Sequence, residues 1–122
     1  MTKRILVVED QEDNRRILRD LLVHGGFEVI EVGDGEQAVT AAAAHHPDVI
    51  LMDIQLPLLD GYEATRRIKA DPALKHIPII VVTSYALSGD EDKARAAGCD
   101  AYIAKPYSPR QLLAKVRELL GP

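Results

Sequence analysis

Residues 49–60 read Val-Ile-Leu-Met-Asp-Ile-Gln-Leu-Pro-Leu-Leu-Asp. Four apolar residues run straight into a carboxylate, Asp53. An unbroken apolar run of this length suits a parallel strand covered on both faces, where no side chain meets water. Asp53 then arrives at the end of a buried strand. A carboxylate in that position is costly unless something pairs with it, so the other strands bear on what that partner is.

Outward from this run the same unit recurs. Arg4–Val8 is a continuous apolar strand ending at Glu9-Asp10, and Ile17, Leu18, Leu21 and Leu22 follow at helical spacing until Gly25-Gly26. Glu28–Val32 mixes charge with apolar residues, as an edge strand does. Asp34 and Gln37 have capping-box spacing before a helix through Ala41–Ala44, with His45 and His46 in its last turn. The central strand is Asp48–Met52. Asp60 and Glu63 repeat the box spacing before a helix that Asp71-Pro72 breaks. Pro78–Val82 is a further buried strand ending at Thr83, and Ser88 with Glu91 opens a helix closed by Gly98. Ala101–Ala104 is the last strand, ending at Lys105-Pro106. Ser108, Pro109 and Gln111 open a final helix whose stripe of Leu112, Leu113, Val116, Leu119 and Leu120 covers the sheet. Five strand–helix repeats without a linker predict one α/β domain over residues 1–122, a parallel sheet with helices on both faces.

Bulk properties narrow the function. A formal net charge of −4 and the lack of a basic block argue against a nucleic-acid partner. The Arg15–Arg16 and Arg66–Arg67 pairs read as solvated helix faces. One cysteine, Cys99, allows no internal disulfide and reads as a buried thiol in a reducing compartment. With no signal-like N-terminus and no membrane-length apolar run, a cytoplasmic protein is expected.

In open parallel sheets, ligands bind beyond the carboxyl ends of the strands. The residues gathered there are Glu9, Asp10, Asp53, Thr83 and Lys105. Three carboxylates repel one another and raise at least one pKa unless a cation intervenes. Oxygen ligands of this kind suit Mg²⁺. With an ammonium and a hydroxyl added, the set suits a phosphoryl group, and a carboxylate can serve as its nucleophile. Asp53, on the central strand, is the best placed.

The segments Val-Val-Glu9-Asp10, Leu-Met-Asp53-Ile-Gln-Leu-Pro57-Leu-Leu-Asp60-Gly61, Val-Val-Thr83-Ser84 and Ala-Lys105-Pro106 together resemble the response-regulator receiver domains of two-component signalling, along the whole chain. The resemblance implies a flavodoxin-like sheet of order 2-1-3-4-5. It implies that Asp53 accepts phosphate from a histidine kinase or histidine phosphotransfer protein. It further implies that Mg²⁺, or Mn²⁺ in its place, is held by Glu9, Asp10, Asp53 and the Gln55 carbonyl. Lys105 and Thr83 would then bind the phosphoryl group, Tyr102 would be the switch aromatic, and the Lys105–Pro106 peptide would be cis. Gln55 and Tyr85 would flank the phosphoryl group and tune its lifetime. Asn14 either faces the site or caps the first helix.

No effector region follows the last helix, so output is expected through a downstream effector protein. The chain would be a monomer or a weak phosphorylation-dependent dimer. Gln55 and Gly89-Asp90-Glu91 resemble the DivK-type cell-division regulators. A receiver module cut from a hybrid sensor kinase and a phosphorylation-independent scaffold are the alternatives. Hydrolases of the haloacid-dehalogenase type need a second Asp where this chain has Gln55. A flavin carrier needs a phosphate-cradling loop where this chain has Glu9-Asp10-Gln11-Glu12-Asp13.

Overall fold

The computed structural model describes residues 2–83 and 90–121. Five strands, β1 (Arg4–Val8), β2 (Glu28–Val32), β3 (Val49–Asp53), β4 (Ile79–Thr83) and β5 (Ala101–Ala104), alternate with helices α1 (Glu12–His24), α2 (Gly35–His45), α3 (Gly61–Ala70), α4 (Asp90–Ala96) and α5 (Pro109–Leu120). All pairings are parallel and the order is β2-β1-β3-β4-β5, the doubly wound arrangement expected. β3 and β4 each start and end one residue later than the sequence suggests, so Asp53 and Thr83 are the last residues of their strands. Each is still within the ladder, where Asp53 pairs with Val82 and Thr83 with Ala104.

Strand pleating sends successive side chains to opposite faces, and two cores result. Leu6, Val8, Ile50, Met52, Ile79 and Val81 face α2, α3 and α4. Ile5, Val7, Val49, Leu51, Ile80 and Val82 face α1 and α5. Every residue of β3 and β4 is buried, and burying one Val, Leu or Ile side chain is worth about 1.5–3 kcal/mol. β2 is only half-buried, because its glutamates face water and α1.

Helix starts are largely set by local chemistry. Ser108 and Gln111 form a full capping box. Asp34 and Asp60 accept from the Gln37 and Glu63 amides, but the return bonds differ. Gln37 bonds the Gly33 amide instead, and Glu63 turns outward to Arg66 and Arg67. These two are therefore half boxes. His46 is not in the last turn of α2 but ends it, in the left-handed region at φ 45°. Asn14 does not cap α1: Gln11 holds that position, with no side-chain cap bond. The Ser88 cap lies outside the described residues.

Two glycines set how closely the helices approach. A side-chain carbon on Gly61 would come within 2.1 Å of the Asp53 carbonyl oxygen, and one on Gly35 within 1.9 Å of the Leu59 oxygen. Gly61 also donates to the Ile54 carbonyl at 3.0 Å. α3 thus begins flush against the end of β3.

Candidate phosphoryl-transfer site at the sheet's carboxyl edge

The β1–β3 pairing sets Val8 beside Met52, so the residues that follow, Glu9 and Asp53, are neighbours on the rim. Glu9 is 2% exposed and Asp53 7%, while Asp10 lies in the open. One carboxylate oxygen from each of the three lies within 4.8 Å of the others. Lys105 follows β5 and is held by its own amide bonding the Thr83 carbonyl at 2.7 Å. Its Nζ reaches Asp53 Oδ2 and Glu9 Oε1, both at 3.4 Å. The remaining carboxylate oxygens are used locally: Glu9 Oε2 accepts from the Gln11 amide at 3.0 Å, and Asp53 Oδ1 from the Gln55 amide at 3.2 Å. The Lys105–Pro106 peptide is cis.

Electrostatics follow from this crowding. Burial lowers the Lys105 pKa, but the Asp53 and Glu9 charges and hydrogen bonds outweigh it, so its ammonium is held above its ordinary range. Asp10 is raised, by lost hydration first and then by hydrogen bonding and repulsion from Glu9. Three carboxylates face one ammonium among the described residues of the cluster. All-oxygen donors with uncompensated negative charge are the set that a hard divalent cation takes.

Thr83 and Tyr102 stand elsewhere. Pleat alternation puts both on the α2–α4 side with Val81, opposite the side of Asp53 and Lys105. Thr83 is fully buried and Tyr102 half-buried against that core. Gln55 is exposed. Ser84, Tyr85 and Gly89 lie outside the described residues, as does the side chain of Asp90. Cys99 is half-buried, and burial raises its thiol pKa, in keeping with an inert thiol.

The chain is similar to known proteins over nearly its whole length. Residues 5–117 match the family model of the response regulator receiver domain. The chain belongs to the response-regulator receiver family. Members of this family are signalling switches of two-component systems. It is 46% identical to the polar-differentiation response regulator DivK of Brucella ovis, covering 99% of this chain and 98% of that protein. Among solved structures, a receiver domain of a sensor histidine kinase from Pseudomonas aeruginosa PAO1 superposes with a TM-score of 0.93 at 39% identity, covering all of both chains. That structure has a magnesium ion coordinated in its active-site cleft. Chemotaxis protein CheY4 of Vibrio cholerae gives a TM-score of 0.91 at 25% identity, over 98% of this chain and 99% of that one.

Two receiver residues escape the sequence reading. Arg15 is no solvated helix residue: its guanidinium bonds the Glu9 and Asp10 carbonyls. Arg16, beside it, is the exposed one. Tyr107 is half-buried against the α1–α5 core and lines a small cavity with Leu18, Leu51, Val82 and Lys105, and burial raises its phenol pKa. Asn14 lines a half-open apolar groove of about 360 Å³ between α1 and the Lys105–Pro109 segment. A helix residue four positions after a loop leans back over it, which is the signal that could have singled out Arg15.

Proposed function

We propose that this receiver is a phosphorylation-dependent switch in a two-component or phosphorelay pathway, with Asp53 as the phosphoacceptor. The observation that carries the reading is a buried carboxylate at the end of the central strand, paired with one lysine and crowded by two further carboxylates. A phosphohistidine on a kinase or phosphotransfer protein is the donor. An Asp53 carboxylate oxygen attacks phosphorus; the O–P bond forms, the P–N bond breaks, and the imidazole nitrogen keeps the electron pair and takes a proton. Lys105, protonated across the neutral range, neutralises charge on the phosphoryl oxygens. Glu9, Asp10, Asp53 and the Gln55 carbonyl are the residues that would hold Mg²⁺, or Mn²⁺ in its place. That ion, when bound, supplies positive charge to the transferring group.

The new group brings about −1.5 to −2 charge. Lys105 and the Thr83 hydroxyl are the groups to answer it. Thr83 lies on the opposite pleat from Asp53, so engaging the phosphoryl group draws it across the strand end and frees space on the Tyr102 side. The switch is a population shift, as large as the difference in contacts between the two states. A partner effector reads the face of α4, β5 and α5. Tyr85 tunes the lifetime of the acyl phosphate, and Tyr85→Ala shortens it. We place the protein in the cytoplasm, as a monomer or weak phosphorylation-dependent dimer. The likeness to DivK suggests control of cell polarity or division. The likeness to a sensor-kinase receiver supports a second reading, as a module of a hybrid kinase.

The test is intact mass after incubation with acetyl phosphate and Mg²⁺. The wild type should gain one phosphoryl group, and neither the metal-free protein nor Asp53→Asn should gain any. An adduct in Asp53→Asn, or a wild type that gains none and fails to bind beryllium fluoride, defeats the proposal.

A further inference from the structure

Arg15 differs from its neighbours on α1. Its side chain is 23% exposed, against 63% for Arg16. Nη1 donates to the Glu9 carbonyl at 2.8 Å and the Asp10 carbonyl at 3.3 Å. Nε lies 3.8 Å from Glu31 Oε1 on the edge strand. Glu31 is itself gripped by Arg19 at 3.1 Å, so the orienting carboxylate is fixed from a second side. A side-chain carbon on Gly33 would come within 3.2 Å of Nη1; a glycine there leaves the guanidinium its room. The two carbonyls that Arg15 ties down belong to the residues carrying two of the three clustered carboxylates.

We infer that Arg15 is a positioning residue for the divalent-cation site: it pins the turn that presents Glu9 and Asp10, without itself touching the ion or the phosphoryl group. This rests on the reading of the acidic cluster as a Mg²⁺ site. A guanidinium here has two possible effects on a bound cation, and they differ in sign. As a bare positive charge it repels the ion, and its removal tightens binding. As a fork holding two carbonyls it fixes the ligand geometry, and its loss weakens binding. The observed geometry supports the second. The charge is directed at Glu31 and at carbonyl oxygens, not at the site carboxylates. Residues that orient metal ligands from behind commonly change metal affinity by about 10- to 100-fold when removed.

The experiment is Mg²⁺ titration calorimetry on the full chain at fixed ionic strength, for wild type, Arg15→Lys, Arg15→Ala and Arg16→Ala. Each protein's thermal melt is recorded in EDTA. The Mg²⁺ dissociation constant should rise on the order of tenfold in both Arg15 variants. Lys keeps the charge but loses the planar fork, so charge alone predicts no change in Arg15→Lys. Arg16→Ala should bind as the wild type does. If Arg15→Ala does not melt cooperatively, Arg15→Lys and Glu31→Gln decide: Glu31→Gln releases the orienting carboxylate from outside the turn, and it too should bind more weakly. Wild-type affinity in Arg15→Lys, or tighter binding in Arg15→Ala, overturns the inference and leaves the site reading standing. A wild type that binds no Mg²⁺ overturns both.

Discussion

The two ends of the sheet both carry acidic and basic side chains, but they are wired differently. At the amino end Asp48 accepts the Arg4 amide at 2.7 Å, and Asp100 accepts the Ile79 amide at 2.9 Å. Each returns the favour through its own amide, to the Arg4 and Ile79 carbonyls. The cations there are also employed: Arg4 bonds the His45 carbonyl, and Lys69 bonds Asp100 and the Ile77 carbonyl. Donors and acceptors match, and the result is a clamp that sets strand register. At the carboxyl end Glu9, Asp10 and Asp53 crowd around one ammonium. The contrast teaches where chemistry resides in this fold. Polar groups that satisfy one another hold the structure together. Polar groups left short of positive charge await something from outside.

The sharpest way to break the contrast is to remove the ammonium. Lys105→Ala should slow phosphorylation by acetyl phosphate by about 10²-fold or more, the usual cost of losing one charge-stabilising donor. A mass time course that matches the wild type would reduce Lys105 to a structural pair. At the other end, Asp100→Ala leaves the Ile79 amide without its acceptor and takes the carboxylate from Lys69, which keeps the Ile77 and Lys75 carbonyls. It should cost about 1–3 kcal/mol in urea unfolding while the folded protein phosphorylates at the wild-type rate. Equal loss of both would mean that the two ends are not separable.

A smaller effect tests the excess charge directly. The Asp10 pKa is raised in the folded protein. A folded pKa above the unfolded one means that protonation favours the native state and that ionised Asp10 opposes it at neutral pH. Water around this exposed residue moderates the effect. Asp10→Asn should therefore melt a few degrees higher than wild type in EDTA. The order should reverse in saturating Mg²⁺, which stabilises only a chain that binds it. A variant less stable than wild type without metal would show that Asp10 is a structural group. The smallest effect is in pH. Mg²⁺ affinity should fall on acidification, beginning above the ordinary aspartate range because Asp10 takes its proton early. Calorimetry across mildly acidic buffers would show the onset.

Most of the sheet was legible because buried parallel strands leave a plain signature: Ile-Leu-Val-Val, Val-Ile-Leu-Met and Ile-Ile-Val-Val admit few other readings. The polar residue after each run then named the rim. What stayed hidden depends on distances that spacing does not carry. Arg15 and Arg16 are adjacent and identical in type, and only the helix phase relative to the Glu9-Asp10 turn makes one a brace and the other a surface charge. Asp34 and Asp60 both begin a capping box on paper, yet Glu63 finds two arginines on its own helix and never completes the second half. Thr83 reads as one more rim residue and does end β4, but its complete burial is not carried by spacing.

Gly61 and Gly35 touch no reacting group, yet any side chain there would overlap backbone of the β3–α3 connection, at Asp53 or at Leu59. In a saturation-mutagenesis screen scored only by phosphorylation, both positions would be as intolerant as Asp53 itself. Such a map would mark them as catalytic unless abundance were measured alongside. What the screen would register at those two positions is the thickness of a methyl group.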